Sequence, residues 1–253
     1  MFQRQKSLCL VIILHIALLS GCVSTGQKKA SPDEIARANI NLAAEYFRLG
    51  RLEPALNSAK KAIAADPESI TGNSLIALIY QRLDQPGLAE EYFSTAVELV
   101  AEDTSEYGVI HNNYGVFLCQ NNRLLDADES FSKAANNKLY QTPQDAFENA
   151  GLCAINGGRW EMAEEHFRKA LKLAPKKPRS LIGMAKIQYN AKKYLLSRAY
   201  LQRYHAVSKG NAASLLLALK VERELSADNE VKRLKKELQT RFPESEEAKS
   251  LLK

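Results

Sequence analysis

Residues suited to catalysis or metal binding are scarce in this chain of 253 residues, which has four cysteines, four histidines and one tryptophan. His15 lies in the apolar N-terminal segment, and the other histidines are far apart, without cysteine or carboxylate partners at ligand spacing. The pair Gly157-Gly158 lacks the strand and the lysine of a phosphate-binding loop. We therefore expect a non-enzymatic binding protein, with no cofactor, no metal and no small-molecule substrate.

Long apolar runs are also rare, and the one that stands out is too short to span a membrane comfortably. It extends from Leu8 to Leu19 and follows two basic residues. The next residues complete the motif Leu19-Ser-Gly-Cys22, which resembles the bacterial lipobox, where a signal peptidase cleaves before a lipid-bearing cysteine. The sequence predicts a signal peptide over residues 1–21 and a lipid on Cys22. The alternative is a plain secretory signal followed by a chance cysteine.

The residues after Cys22 indicate where the protein is held. In lipoproteins, aspartate directly after the lipidated cysteine commonly favours the inner membrane, and here that residue is Val23. Residues 22–33 are polar, contain glycine and proline, and show no apolar period, which is typical of a flexible tether. Ser31-Pro32-Asp33-Glu34 then favours a helix start. We expect a protein anchored by lipid to the outer membrane and facing the periplasm.

The stretch of residues 144–177 has the pattern of two helices joined by a tight turn. Small and apolar residues recur at three- and four-residue spacing on both sides of Gly157-Gly158, and Pro175 ends the pattern. Gly151 and Ala163 lack bulk where the helices must touch, while Phe167 supplies apolar area. Because one hairpin cannot bury this surface alone, the stretch predicts neighbours of the same kind.

Similar stretches recur at a period near 34 residues and resemble the tetratricopeptide repeat, which has small residues at three fixed positions, an aromatic and a proline. Six copies begin near residues 36, 70, 108, 144, 178 and 212. The fifth is the weakest, because Leu201 and Tyr204 replace an aromatic and an alanine. The resemblance implies an all-α, right-handed superhelical solenoid over residues 34–253. An ordinary helical bundle would not hold this spacing six times.

Charge is distributed unevenly along the chain. Residues 22–106 contain 8 basic and 13 acidic residues, whereas residues 107–253 contain 25 and 16. Nucleic acid is not the expected partner, because an exported lipoprotein seldom meets it and the basic residues are interspersed with acids. The basic excess indicates a solvated surface, with contact to anionic lipid or an acidic partner as the alternative.

Two cysteines keep free thiols if the signal is removed and Cys22 is lipidated. They are Cys119 and Cys153, on the first helices of the third and fourth repeats, which are neighbours in the stack. Because the periplasm is oxidising, facing thiols there normally pair, so we expect a disulfide. The alternative is a pair of buried thiols that behave as small apolar residues.

First helices line the concave surface of such a stack, and partners usually bind there. In the first repeat, Ile40, Ala44 and Phe47 form an apolar strip between two arginines, which suits an extended or helical peptide. We expect Leu42, Ala43 and Tyr46 to supply the hairpin contacts instead. The alternative is that a short helix ahead of the strip folds over it as a cap. The expected partner-binding residues are Arg37, Ile40, Ala44, Phe47, Arg48, Ser74, Leu78 and Gln81.

A lipobox followed by six repeats resembles the type IV pilus assembly lipoproteins known as pilotins, the PilF/PilW family. The most specific segments are the lipobox, residues 38–63, residues 107–120 and the two cysteines. The resemblance implies a role in moving or assembling the secretin subunits of the outer-membrane pore, with no catalysis. A scaffold for cell-wall hydrolases or proteases is the alternative. A thiol oxidoreductase is more remote, since Cys119 and Cys153 lack Cys-x-x-Cys spacing and a strand pattern.

Overall fold

The protein is described by a computed structural model over residues 30–251. The signal peptide and Cys22 lie outside these residues. The described part contains helices and no strands. Each repeat is a pair, here called its first and second helix. The first helices are α1 (Pro32–Arg48), α3 (Ile70–Arg82), α5 (Ser105–Gln120), α7 (Pro143–Asn156), α9 (Pro178–Asn190) and α11 (Ala212–Glu224). The second helices are α2 (Leu52–Ala65), α4 (Pro86–Leu99), α6 (Leu124–Asn136), α8 (Trp160–Leu173), α10 (Tyr194–Val207) and α12 (Asp228–Arg241), and a short α13 (Glu246–Lys249) follows.

The pairs stack in chain order into an all-α tetratricopeptide solenoid, which confirms the predicted fold class. Each second helix packs against the first helix of its own repeat, and the second helices of the first five repeats also pack against the first helix of the next. Consecutive first helices also pack against each other, from α1 and α3 through to α9 and α11. No helix within residues 30–251 is long and apolar enough to cross a membrane.

Local signals account for the helix ends. At the start of α1, the Ser31 hydroxyl accepts from the Glu34 backbone N–H, and the Glu34 carboxylate accepts from the Ser31 N–H at 2.8 Å, so both members of a capping box are present. Every turn between a first and a second helix contains one residue with positive φ. These residues are Gly50, Asp84, Asn122, Gly158, Lys192 and Ser226, at steps of 34, 38, 36, 34 and 34 residues.

Packing inside the hairpins depends on small residues opposite aromatic ones. Phe93, Phe131 and Phe167 are fully buried at the same position of three second helices. A Cβ atom at Gly151 would lie 2.7 Å from the Phe167 ring, and one at Gly115 would lie 2.8 Å from the Phe131 ring. Glycine therefore lets the two helix axes approach, as the sequence pattern predicts.

The two ends of the stack are finished differently. At the C-terminal end, α13 packs against α11 and α12, Ala248 is buried, and Leu251 packs on the same core cluster. At the N-terminal end, Leu42 is 45% exposed, so the prediction that it contributes to the hairpin contacts is wrong. Ala43, one residue further around the helix, is fully buried and makes those contacts.

Candidate functional site: the groove lined by the first helices

The predicted strip on α1 combines exposed and half-buried residues. Arg37, Ala44 and Arg48 are exposed, whereas Ile40 and Phe47 are half-buried and pack against the core of the first three repeats. α1 is continuous from Pro32, so within residues 30–251 no separate helix precedes Arg37 to cover the strip. The strip is open to a partner, but Ile40 and Phe47 also contribute to folding.

One arginine of the second repeat lies over the Phe47 ring, and another follows Phe47 directly in the sequence. The Arg82 guanidinium carbon lies 5.2 Å from the Phe47 ring centroid, within reach of a cation–π interaction. Arg48 donates to Glu45 at 2.6 Å, and this hydrogen bond lowers the pKa of Glu45. Because exposed pairs of this kind are weak in water, Arg48 can exchange Glu45 for a carboxylate of a partner at little cost.

The second repeat supplies fewer groove residues than expected. Leu78 is half-buried, and Gln81 donates its amide to the Gln120 side chain on the next first helix. Ser74, however, is only 4% exposed, so the prediction that it meets a partner is wrong. Its position on α3 is enclosed because α1 and α5 both pack against this helix.

Apolar side chains continue along the groove beyond the residues that sequence reasoning selected. Val116 on α5 and Leu152 on α7 hold the same repeat position as Ala44 and Leu78, and both are half-buried. Asn149 donates to Asn112 at 3.0 Å and ties these two helices together beside them. Both residues could have been predicted from the sequence. They stand at the ninth position of the third and fourth repeats, which is the groove position that Ala44 and Leu78 hold in the first two.

Cys119 and Cys153 lie on the same two helices as Val116 and Leu152. Their sulfur atoms are at bonding distance and their Cα atoms are 5.8 Å apart, within the range for disulfides. Cys153 is buried and Cys119 is half-buried. The pair links α5 to α7, and both residues are near the C-terminal ends of their helices, away from the helix N-termini that activate thiols.

A buried polar network underlies the next part of the groove. Glu148 is 6% exposed and accepts hydrogen bonds from the Ser180 hydroxyl at 2.7 Å and the Ser180 N–H at 3.0 Å. The Lys177 ammonium lies 3.4 Å from Glu148 and donates to Asp145 at 2.5 Å. Burial works against the charge on Lys177, but these acidic partners outweigh it and raise the Lys177 pKa. The network joins α7 to the start of α9.

Glu148 is not among the site residues predicted from the sequence. It could have been recognised in the sequence as an acidic residue at the repeat position where the first and second copies have Ile40 and Ser74. Because the carboxylate is already satisfied by neighbouring groups, we assign it to holding the fourth and fifth repeats together and not to contact with a partner.

Comparisons with known proteins agree with this architecture. Family profiles described as tetratricopeptide repeat match residues 36–69, 72–102 and 144–177. The type IV pilus assembly protein PilF of Pseudomonas aeruginosa is 31% identical over 217 residues, which cover 84% of this chain and 84% of that protein. The chain belongs to the PilF family. An uncharacterized protein of Haemophilus influenzae is 29% identical over 164 residues, covering 65% of this chain and 88% of that protein.

Solved structures of the PilF family have the same fold. The structure of Pseudomonas aeruginosa PilF superposes with a TM-score of 0.77 at 27% identity, covering 87% of this chain and 98% of that one. PilW, described as a widely conserved type IV pilus biogenesis factor, gives 0.77 at 29% identity, covering 87% and 99%. Membership of the PilF family therefore extends to the whole solenoid.

Proposed function

We propose that the protein is a lipid-anchored assembly factor of the type IV pilus system, a pilotin. It binds secretin subunits in the groove and promotes their outer-membrane localisation and multimerisation. The observation that carries the proposal is the open apolar strip on α1, bordered by Arg37, Arg48 and Arg82, in a member of the PilF family.

The strip suits a short peptide segment of a secretin subunit. Ala44 leaves room for an apolar side chain between Ile40 and Phe47, whose rings and methyl groups are only half covered. The arginines at its borders can pair with acidic side chains or a chain terminus of the peptide. Val116 and Leu152 continue the apolar strip along the groove, so a longer peptide segment can lie across four repeats.

The role requires binding and orientation, and we propose no chemical step. Rigid stacking presents the groove in a fixed shape, which reduces the entropy lost on binding. The Cys119–Cys153 link contributes to this rigidity by holding α5 and α7 together. A thiol oxidoreductase would need a reactive, accessible cysteine, whereas Cys153 is 4% exposed and the half-buried Cys119 lies at the C-terminal end of its helix, away from the helix N-termini that activate thiols.

Lipid on Cys22 would keep the groove at the membrane that holds the secretin. The polar segment before α1 allows the solenoid to reorient around its anchor. Confinement to the same surface raises the effective concentration of groove and secretin, so a modest affinity suffices.

A capture experiment tests the proposal. Lipidated protein is crosslinked in cells, purified from solubilised membranes and analysed by mass spectrometry, in parallel with Ala44→Glu and the matched control Ala64→Glu. Ala64 is exposed on α2, away from the groove. We expect secretin with wild type and Ala64→Glu and at least tenfold less with Ala44→Glu. Capture of a cell-wall hydrolase or protease in place of secretin would refute the assignment and favour the scaffold role.

A further inference from the structure

An apolar stripe runs along the outer side of α1, separate from the groove. Ile35, Leu42 and Leu49 are 41%, 45% and 54% exposed. They are spaced by seven residues, and Leu49, which caps α1, keeps a helical backbone conformation, so all three lie on one side of the helix. Arg37, Ala44 and Arg48 lie more than about 45° around the helix axis from that side, toward the groove. The stripe therefore faces outward at the end of the stack, where a preceding repeat would otherwise pack.

Solenoids normally close their ends with a cap that has a polar outer face. At the C-terminal end, α13 and Leu251 provide this closure. At the other end, nothing within residues 30–251 covers the three side chains. The segment of residues 22–29, Cys-Val-Ser-Thr-Gly-Gln-Lys-Lys, lies outside the described residues and contains one large apolar residue, Val23.

Charge near the stripe is compatible with a lipid surface. α1 carries three carboxylates, and each has a partner: Asp33 pairs with Arg37 at 3.4 Å, Glu34 closes the capping box, and Glu45 pairs with Arg48. Lys28 and Lys29 precede the helix and favour anionic head groups. Two of these carboxylates thus have cationic partners, whereas Glu34 bonds to Ser31 and has no ion pair among the described residues, so α1 presents its leucine and isoleucine side chains beside one uncompensated carboxylate.

We propose that this N-terminal end rests on the membrane, with Ile35, Leu42 and Leu49 at the level of the lipid head groups. The proposal uses the lipid attachment at Cys22 proposed above. Eight residues from Cys22 to Lys29 span at most about 28 Å, so the anchor keeps the stripe within reach of the bilayer. A second copy fits less well, since three half-exposed side chains offer far less than the roughly 800 Å² per partner of a stable dimer.

This placement gives the groove a direction. A stack that stands on its N-terminal end holds its long axis away from the membrane, and the concave face then opens sideways. A secretin segment that lies close to the membrane would meet the first repeat before the others. The membrane contact would therefore orient the strip on α1 as well as supplement the lipid anchor.

The test uses the mature chain with Cys22→Ser and an N-terminal histidine tag, attached to vesicles of phosphatidylethanolamine and phosphatidylglycerol through a nickel-chelating lipid. This design separates the proposal from native lipidation. A single Leu42→Cys carries the fluorophore NBD, and Leu195→Cys, an exposed leucine in the fifth repeat, carries it in the control. Labelling is done without reductant, so that Cys119 and Cys153, bonded to each other as proposed, do not compete for the fluorophore.

We expect the emission at position 42 to rise at least twofold and shift to the blue on the vesicles, with quenching by nitroxide-labelled lipid. Position 195 should not change. Adding Leu49→Glu to the position 42 probe should remove most of the response while the circular dichroism stays unchanged. Identical emission on vesicles and in solution would overturn the proposal. A response in solution that grows with protein concentration would show that a second copy covers the stripe, and would overturn it equally.

Discussion

The turns between first and second helices all contain a residue with positive φ, although only two of these residues are glycine. Gly50 and Gly158 adopt positive φ at no steric cost, but Asp84, Asn122, Lys192 and Ser226 adopt the same conformation with a Cβ atom. Asparagine and aspartate tolerate it through local hydrogen bonding, whereas lysine and serine are strained there. These turns are retained because the helices on both sides fix them.

Replacing Lys192 with glycine should therefore stabilise the protein. The left-handed conformation costs a residue with a Cβ atom about 1–2 kcal/mol, and the greater entropy of glycine in the unfolded chain offsets roughly half of that. We expect the free energy of unfolding in urea to rise by about 0.5–1 kcal/mol. Gly158→Ala, at the equivalent turn, should lower it by a similar amount. A loss of stability in Lys192→Gly would show that the lysine side chain makes contacts that outweigh the strain.

Phe47 and Phe167 allow binding and folding to be separated. Phe167 is fully buried, so Phe167→Glu should unfold the fourth repeat, at a cost of about 4 kcal/mol or more. Phe47 is half-buried, so Phe47→Glu should cost about 1–2 kcal/mol of stability and at least about 2 kcal/mol of binding energy. Melting temperatures and secretin multimers would be measured for both variants.

Ala44→Glu completes that comparison, because Ala44 is exposed and contributes little to the core. It should keep the wild-type melting temperature and lose secretin multimers and surface pili. Equal melting of Phe47→Glu and Phe167→Glu would mean that Phe47 is core, and normal multimers in Ala44→Glu would place the partner elsewhere along the groove.

His111 should make stability depend on pH. Burial, reinforced by Lys133, lowers its pKa to about 4, against 6.5 when unfolded. Below pH 6.5 the unfolded chain binds a proton that the folded protein does not, so this contribution is present above pH 6.5 and is lost toward pH 4. The expected loss between pH 7 and pH 5 is about 2 kcal/mol.

His111→Phe should flatten that dependence, measured as unfolding free energy at each pH. The His111 Nδ1 atom is buried and has no hydrogen-bond partner among the described residues, so an aromatic ring without nitrogen should not reduce stability at pH 7. His205 also has a pKa lowered mainly by burial, and it would leave a smaller slope in the variant. An unchanged slope in His111→Phe would assign the pH dependence to other groups.

Polar contacts between helices hold neighbouring repeats together. Between α7 and α9 the link is the network around Glu148, and between α10 and α11 it is the pair Arg198–Glu222. The two longer connections, after the second and third repeats, are fixed by Asn137, whose amide donates to the Glu102 carbonyl at 2.8 Å and the Thr104 carbonyl at 3.0 Å. Extra residues are thus accommodated without disturbing the stack.

The link between α5 and α7 should be a covalent one. Closing a loop across the 34 residues that separate Cys119 from Cys153 contributes about 3–4 kcal/mol in the chain-entropy model. Mature protein denatured without reductant should show no free thiol, and reductant should lower its melting temperature. Cys119→Ala with Cys153→Ala should melt at the reduced value. Two titratable thiols in freshly purified periplasmic protein would contradict the disulfide.

For the whole molecule, one residue should decide attachment. Cys22→Ala should leave the solenoid folded, because the described helices begin only at Pro32, and should release it from the outer membrane. Membrane fractionation and circular dichroism of the variant measure the two effects. Retention of the Cys22→Ala protein in the outer membrane would mean that Cys22 is not the anchor, or that a partner or the stripe on α1 suffices to hold the protein there.

The sequence alone was sufficient for the repeat architecture, because its signals are local and recur. Helix α1 begins within the predicted Ser31–Glu34 segment, α3, α9 and α11 begin at the predicted repeat starts, and the turns recur at the predicted steps. Glycine opposite phenylalanine was also predictable, since Gly151 and Phe167 stand in one hairpin and only that hairpin determines their contact.

Only the tertiary structure decided which side chains remain available, because their exposure depends on helices from other repeats. Ser74 is enclosed by neighbouring first helices, and Ile40 and Phe47 are half covered by the core, although all three hold groove positions in the repeat. Leu42 resembles a hairpin residue in the sequence yet is exposed, since no repeat precedes α1 among residues 30–251 to cover it. Repeat periodicity specifies the neighbours of an average repeat, whereas the first and last repeats each have only one.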